Sequence, residues 1–159
     1  MPEYRNEHLT GEMPGSHRNQ MILMVVFFAV WIVDSFLLRI TTFLWSFEFW
    51  WLFIGVGAII IVVAAYFMDA SHKDLFDAHV EGLATTGVFG RVRHPMYLGT
   101  HLFYLGLAIA TFSLATIVLW VIIFAFYNTL ANYEERKLEE RFGEQFLEYK
   151  MNVRKWFPI

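Results

Sequence analysis

The amino-acid sequence predicts an all-α integral membrane protein, a helical bundle of about four transmembrane helices followed by a C-terminal cytoplasmic helix. Three observations favour this fold class. Of the 159 residues, 57% are hydrophobic and 19% are aromatic, and the mean hydropathy is +0.46. Several apolar stretches approach or reach the roughly 20 residues that a helix needs to cross a bilayer. The Lys and Arg residues cluster between alternate stretches, as they do in membrane proteins of fixed orientation.

The first two spans follow a polar N-terminal arm. The arm covers residues 1–20 and lacks the basic region and short apolar core of a signal peptide. The first predicted span covers residues 21–40 and contains one acidic residue, Asp34, which we expect either to pair with Arg39 or to serve a functional site. The second span covers residues 49–68 and has no charged residue.

The longest uncharged stretch, Met96 to Tyr133, has 38 residues without Asp, Glu, Lys or Arg. As a single helix it would be about 57 Å long, nearly twice the roughly 30 Å of a bilayer core. We therefore expect a hairpin of two spans, residues 94–111 and 114–133, with a turn near Thr111-Phe112-Ser113. Such a hairpin returns both ends of the stretch to the same membrane face.

Four spans place eleven of the twelve Lys and Arg residues on one side of the membrane, which predicts that both termini are cytoplasmic. Residues 21–159 are then one membrane domain. Residues 69–90 are polar and predict a short amphipathic surface helix. Beyond the fourth span, apolar residues recur at helical spacing as far as Tyr149, so we expect that span to continue into the cytoplasm with a break at Gly143.

Composition also excludes some classes of function. The chain has no cysteine, which rules out disulfides, thiolate metal sites and cysteine nucleophiles. The net charge of −3, with no run rich in Lys or Arg, gives no indication of a nucleic-acid partner. No metal site is predicted at the adjacent acids Glu134 and Glu135, because no histidine shares their helix face.

The motif Arg93-His94-Pro95-Met96-Tyr97 opens the third span, with its proline suited to the first helical turn. One interpretation is a basic collar at the membrane surface. The other is an anion site, formed by the backbone amides at this helix start together with Arg93 and His94. Tyr97 would then lie about one turn inside.

A polar group marks the end of the fourth span. Four of its residues recur at spacings of four, three and four on one helix face, namely Asn128, Asn132, Glu135 and Glu139. A solvated polar stripe is one interpretation, but amides at membrane depth require partners. The adjacent acids Glu134 and Glu135 suit a hydroxyl-rich group such as a ribose, or a cation.

Taken in their order along the chain, these motifs resemble those of the isoprenylcysteine carboxyl methyltransferase family and the related membrane phospholipid methyltransferases. The resemblance covers about residues 79–159. The matching segments are Leu83–Phe89, Arg93–Gly99, Glu134-Glu135 with Leu138, Phe142-Gly143, Tyr149 and Arg154–Pro158.

The resemblance implies an S-adenosylmethionine-dependent membrane methyltransferase, whose cofactor binds at the cytoplasmic face in a region of about residues 83–159. The cofactor contacts that it implies are Gly87, Val88, Val92, His94, Tyr97, Glu134 and Glu135. The residues that it implies for catalysis are Glu135, Asn132 and Arg93. The partners are membrane lipid and a lipophilic acceptor, either an isoprenylcysteine carboxylate or a lipid amine.

One departure bears on the acceptor. The isoprenylcysteine enzymes usually carry an arginine four residues before the Glu pair, where this chain has Leu130. A carboxylate acceptor would then need another cation, such as Arg39 or Arg93. Two other functions stay open, an NADPH-dependent membrane reductase of the sterol reductase type and a non-catalytic membrane scaffold.

Overall fold

The computed structural model describes residues 13–46, 48–77 and 82–157, and every regular element in these ranges is helical. The five α-helices are α1 (Ser16–Ile32), α2 (Trp50–His72), α3 (Pro95–Thr111), α4 (Leu114–Phe142) and α5 (Glu144–Asn152). Helix α1 continues as a π-helical turn over Val33–Leu38, and α2 continues likewise over Lys73–Asp77. The all-α fold class is confirmed.

Among the described residues, three segments are long and apolar enough to cross a membrane: Ser16–Leu38, Trp50–Leu75 and Leu114–Phe142. Helix α3 has 17 residues and is about 25 Å long, somewhat shorter than a bilayer core. It packs antiparallel to both α2 and α4 and therefore connects the same two ends of the bundle as they do. The four segments alternate in direction, and the predicted hairpin turn lies between Thr111 and Leu114 as expected.

Two helix boundaries differ from the sequence-based prediction. Helix α1 begins at Ser16, inside the predicted arm, because no glycine or proline follows Gly15 until the span is complete. Residues 1–12 of the arm lie outside the described ranges. Residues 69–77 prolong α2 instead of forming a separate surface helix, since the helix meets no breaker there and gains an i,i+4 ion pair between Asp69 and Lys73. Residues 78–81 of that predicted surface helix are not described.

Small residues allow α2 and α3 to approach closely. On α2 the buried residues Gly57, Ala64 and Ser71 recur every seven positions. They face a matching pair on α3, Gly99 and Gly106, which also lie seven residues apart. In a membrane, small residues at such positions let helix backbones come into van der Waals contact, which is a main source of helix association there.

Substitution of Gly57 by alanine is expected to destabilise the bundle. A Cβ atom at this position would lie 2.5 Å from the Gly106 carbonyl oxygen and 2.9 Å from the Ala110 amide nitrogen, so the backbones must move apart. Overpacking of this kind costs about 1–3 kcal/mol. Thermal unfolding of the detergent-purified protein measures the loss.

Gly55 on the same helix provides the matched control. A Cβ atom there meets nothing within 4 Å, so Gly55→Ala should leave the melting temperature unchanged or raise it through its better helix propensity. Equal melting temperatures for the Gly57 and Gly55 variants would contradict the close packing of α2 against α3.

Asp34 ties the end of α1 to the turn between α3 and α4. Its carboxylate accepts hydrogen bonds from the Thr41 amide (2.9 Å) and hydroxyl (2.7 Å), and from the hydroxyls of Thr42 (3.0 Å) and Ser113 (2.6 Å). Ser113 in turn caps α4 by accepting from the Thr116 amide. Asp34 thus lies at the end of the bundle opposite the motif that begins at Arg93, and its contacts there are structural.

Helix α4 ends at Phe142, and Gly143, with a φ of +51°, redirects the chain into α5 as the sequence predicted. The side chains of Phe146 and Tyr149 are buried. The Tyr149 hydroxyl donates to the Phe89 carbonyl oxygen at 2.6 Å, and burial raises the pKa of this tyrosine, which keeps the hydroxyl a donor. Helix α5 therefore holds the C-terminal segment against the loop before α3.

Candidate active site

The two ends of the α3–α4 hairpin meet in a buried polar cluster. His94 Nε2 lies 3.0 Å from Glu135 Oε1, and its Nδ1 lies 3.7 Å from Glu134 Oε2. The Tyr97 hydroxyl donates to Glu134. The rings of His94 and Tyr97 are parallel, with centroids 5.7 Å apart. The hairpin thus brings the His94 motif and the Glu pair together at one end of the bundle.

Glu135 is the centre of this cluster and is 5% exposed. Its Oε1 atom accepts from both Arg93 Nε (3.1 Å) and His94 Nε2. Two lysines add positive charge slightly farther away, with Lys155 Nζ 3.8 Å from Oε1 and Lys150 Nζ 3.9 Å from Oε2. A carboxylate removed from water requires such compensation, so this arrangement keeps Glu135 ionised.

His94 precedes the first residue of α3, and burial lowers its pKa while the hydrogen bond to Glu135 opposes that shift. The ring is therefore neutral near pH 7 and carries one proton. The 3.0 Å contact assigns that proton to Nε2, which donates to Glu135. Nδ1 then carries no proton, so it and Glu134 Oε2, 3.7 Å away, are both hydrogen-bond acceptors.

The loop before α3 is fixed by Asp74, which lies beyond α2. Asp74 Oδ2 accepts from the Val88 amide at 2.8 Å, and a Cβ atom at Gly87 would lie 2.0 Å from the same oxygen. Gly87, whose φ is +61°, is required there by both space and conformation. The side chains of Val88 and Val92 are buried, and the Val92 amide is paired with the Val88 carbonyl. Of these three predicted cofactor contacts, Gly87 alone is exposed.

The C-terminal segment after α5, residues 153–157, completes the cluster. The Arg93 amide donates to the Arg154 carbonyl at 2.9 Å, and the Arg93 guanidinium donates to the carbonyls of Lys150 and Val153. Lys155 donates to the Asn132 side chain, and the Trp156 indole donates to Asn128 Oδ1 at 3.2 Å. Asn132 and Asn128, which were expected from the sequence to require hydrogen-bond partners, are therefore both paired with this segment.

Sequence reasoning missed Lys155 and Trp156 as members of the site. Burial lowers the pKa of the Lys155 ammonium, an effect opposed by Glu135. The C-terminal segment, residues 153–157, is too short to show a helical periodicity, so the sequence held no local signal for its position. The family resemblance includes Arg154–Pro158, but it implies no role for Lys155 or Trp156.

The predicted catalytic residues occupy different places. Arg93 and Glu135 form a direct ion pair, whereas Asn132 is exposed and joins the cluster through Lys155. Leu130 is 1% exposed and packs in the interior. Within the described ranges, no group of three or more His, Asp or Glu side chains is arranged to hold a metal ion.

The sequence is similar to several curated plant proteins. It is 30% identical over 119 residues to "Protein-S-isoprenylcysteine O-methyltransferase A" of Arabidopsis thaliana, an overlap of 72% of this chain and 60% of that protein. It is 26% identical over 122 residues to the "Probable protein-S-isoprenylcysteine O-methyltransferase" of Oryza sativa subsp. indica, an overlap of 70% and 64%. The chain thus spans less than two thirds of the length of these relatives.

A family model described as "Phospholipid methyltransferase" matches residues 19–145, which include most of α1, all of α2 to α4, and the part of the polar cluster that α3 and α4 supply. The match extends over the N-terminal spans, where the motifs alone gave no resemblance. The membrane hairpin, the His94 motif and the Glu pair therefore all lie within the matched region, and the chain belongs to the phospholipid methyltransferase family.

Proposed function

We propose that this protein transfers a methyl group from S-adenosylmethionine to a lipophilic acceptor held in the membrane. The observation that carries the proposal is the cluster in which Glu134 and Glu135 meet His94 and Arg93 at one end of a membrane bundle. The similar plant proteins are named as O-methyltransferases, which supports the same class of reaction.

The residues of the cluster fit the chemistry of the cofactor. Two carboxylates suit the hydroxyl pair of a ribose and the positive charge of a sulfonium group. Arg93 and the start of α3 suit the carboxylate of the amino-acid part. The exposed backbone at Gly87 leaves room for a ligand to approach the loop. When bound, the cofactor supplies an electrophilic methyl group.

The contribution of the protein is to position and shield the reactants. Arg93 is held by Glu135 and by two carbonyl groups of the C-terminal region, so its guanidinium is fixed before any ligand binds. Holding two reactants in line contributes about 7–11 kcal/mol to the lowering of a barrier. A carboxylate acceptor needs little further help, whereas a protonated amine needs a base, and Glu135 is the nearest carboxylate for that role.

The acceptor class follows from the available cations. The position of Leu130 is buried and uncharged, so it offers nothing to a carboxylate. Lys155 lies 3.8 Å from Glu135 and brings a cation to the same place from the C-terminal segment. We therefore favour an isoprenylcysteine-like carboxylate, in agreement with the names of the plant relatives. A lipid amine is the second candidate, because the cluster also holds two carboxylates.

We place this site at the cytoplasmic face. The start of α1, the end of α2, the start of α3 and the end of α4 share one end of the bundle, and eleven of the twelve Lys and Arg residues lie near that end in the sequence. The positive-inside rule assigns such an end to the cytoplasm. A lipophilic acceptor can then reach the site from the inner leaflet while its apolar part stays in the bilayer.

Calorimetric titration with S-adenosylhomocysteine tests the proposed function. The detergent-purified protein is expected to bind this cofactor product with micromolar affinity and not to bind NADPH. Methyl transfer from S-adenosylmethionine is then measured with N-acetyl-S-farnesylcysteine and with phosphatidylethanolamine, which separates the two acceptor classes. Binding of NADPH alone would instead support a reductase, and binding of neither ligand by folded protein would support a scaffold.

A further inference from the structure

His101 is a buried histidine whose ring makes no hydrogen bond within the described part of the chain. The residue is 3% exposed, and neither Nδ1 nor Nε2 has a partner there. It follows Tyr97 by four residues and lies about 10 Å along α3 from His94, on the same helix face. It therefore lies deeper in the bundle than the polar cluster.

An unpartnered imidazole at this depth needs an explanation. Burial of a polar group without a hydrogen bond costs free energy, and nearly all such groups in folded proteins have partners. The cost is greatest in a membrane, where no bulk water replaces the missing partner. Leucine or phenylalanine would fill this position without that cost, so the imidazole is a candidate partner for a polar group of a bound ligand.

The surroundings of His101 indicate what kind of ligand fits. Three aromatic rings surround it, with centroid distances of 4.9 Å to Phe124, 5.0 Å to Tyr127 and 5.6 Å to Trp156. Aromatic rings around a single imidazole suit a ligand with an apolar chain that carries a polar group. Trp156 also lies 5.7 Å from His94, so it stands between His101 and the polar cluster.

Trp156 packs against both α4 and the polar cluster, with its ring centroid 5.5 Å from that of Phe124 and 5.7 Å from that of His94. It belongs to the C-terminal segment, and its indole is joined to α4 by one hydrogen bond, to Asn128. Because the ring of Trp156 contacts both His94 and His101, a ligand bound along this ring would reach both residues. A lipophilic acceptor entering from the bilayer would then have its reacting group near the cluster and a polar group within reach of His101.

We propose that His101 is a specificity-determining residue of the acceptor subsite, where its imidazole hydrogen-bonds the polar group of the lipophilic methyl acceptor between α3, α4 and Trp156. The inference rests on the proposed function and adds the location of the acceptor. An imidazole has one donor and one acceptor nitrogen, so it can bind a second polar group of the acceptor, apart from the reacting group, whether that second group donates or accepts. The rings of Phe124 and Tyr127 pack against the apolar chain.

The test compares His101→Phe with His101→Gln in the full chain. Phenylalanine keeps the ring shape and removes both nitrogens, whereas glutamine keeps a donor and an acceptor. Tyr104→Phe, one turn farther along α3, is the matched control for loss of a buried polar atom. For each variant we would measure kcat and KM with whichever probe the wild type methylates faster, the Kd for S-adenosylhomocysteine, and the melting temperature.

His101→Phe is expected to raise the acceptor KM at least tenfold, to change the S-adenosylhomocysteine Kd by less than twofold, and to keep or raise the melting temperature. His101→Gln should recover part of the KM, and Tyr104→Phe should leave it unchanged. An unchanged KM in active His101→Phe would overturn the inference alone and make His101 a packing residue. A wild type that binds no S-adenosylhomocysteine would overturn the proposed function, and this inference with it.

Discussion

Replacement of Glu135 by alanine is expected to weaken S-adenosylhomocysteine binding by more than tenfold. The proposed role of this carboxylate is to accept hydroxyl groups of the cofactor and to hold Arg93 and His94 in place for the rest of it. Its removal leaves a buried hydroxyl partner unpaired, which alone costs about 1–3 kcal/mol. Calorimetric titration of the purified variant measures the change in Kd.

The same substitution is expected to destabilise the fold. Glu135 compensates Arg93 directly and Lys155 at 3.8 Å, and breaking a buried ion pair by removal of one partner costs about 3–5 kcal/mol. A loss of binding must therefore be measured below the melting temperature of the variant. Glu135→Gln separates the two effects, because it keeps the shape and one acceptor oxygen while it removes the charge.

Glu139 is the matched control for Glu135. It lies one helical turn farther along α4, is 44% exposed at its side chain and contacts Lys150 at 3.5 Å. Glu139→Ala should leave the Kd and the melting temperature nearly unchanged, as expected of an exposed ion pair. An unchanged Kd in folded Glu135→Ala would remove Glu135 from the cofactor site.

Replacement of Asp34 by alanine is expected to cause a severe loss of stability without a loss of cofactor binding. The Asp34 carboxylate accepts three hydrogen bonds from Thr41 and Thr42 in the segment after α1 and one from Ser113, which joins α1 to the α3–α4 turn. Each donor left without its acceptor is partly or fully buried, so the free energy of unfolding should fall by more than about 3 kcal/mol. Thermal unfolding measures it, and the S-adenosylhomocysteine Kd of the folded fraction should not change.

Two further variants sharpen this test. Asp34→Asn retains one carboxamide oxygen and should lose less stability than the alanine variant. Asp69→Ala removes an acid of the exposed ion pair with Lys73 and should cost at most about 1 kcal/mol. Normal stability combined with lost cofactor binding in Asp34→Ala would show that Asp34 serves the function after all.

Much of the architecture could be predicted because it follows from lengths. The uncharged stretch from Met96 to Tyr133 exceeds the thickness of a bilayer core, so it must turn, and that turn alone brings His94 to the Glu pair. The break at Gly143 was equally visible, because glycine ends a regular periodic pattern. The end of α2 could not be predicted in this way, because the polar residues after Met68 include no helix breaker and the helix continues through them.

The fold class, the hairpin and the meeting of His94 with Glu134 and Glu135 could be predicted from the sequence, because periodicity, charge and membrane thickness act along the chain. Other features are visible in the folded structure alone, namely that Lys155 and Trp156 join the cluster and that His101 is buried without a partner in the described part of the chain. The contacts of Lys155 and Trp156 join residues 23 and 28 positions apart, and the surroundings of His101 depend on how three segments pack around one ring. No local pattern encodes them, because they arise only when the C-terminal segment folds back onto α4.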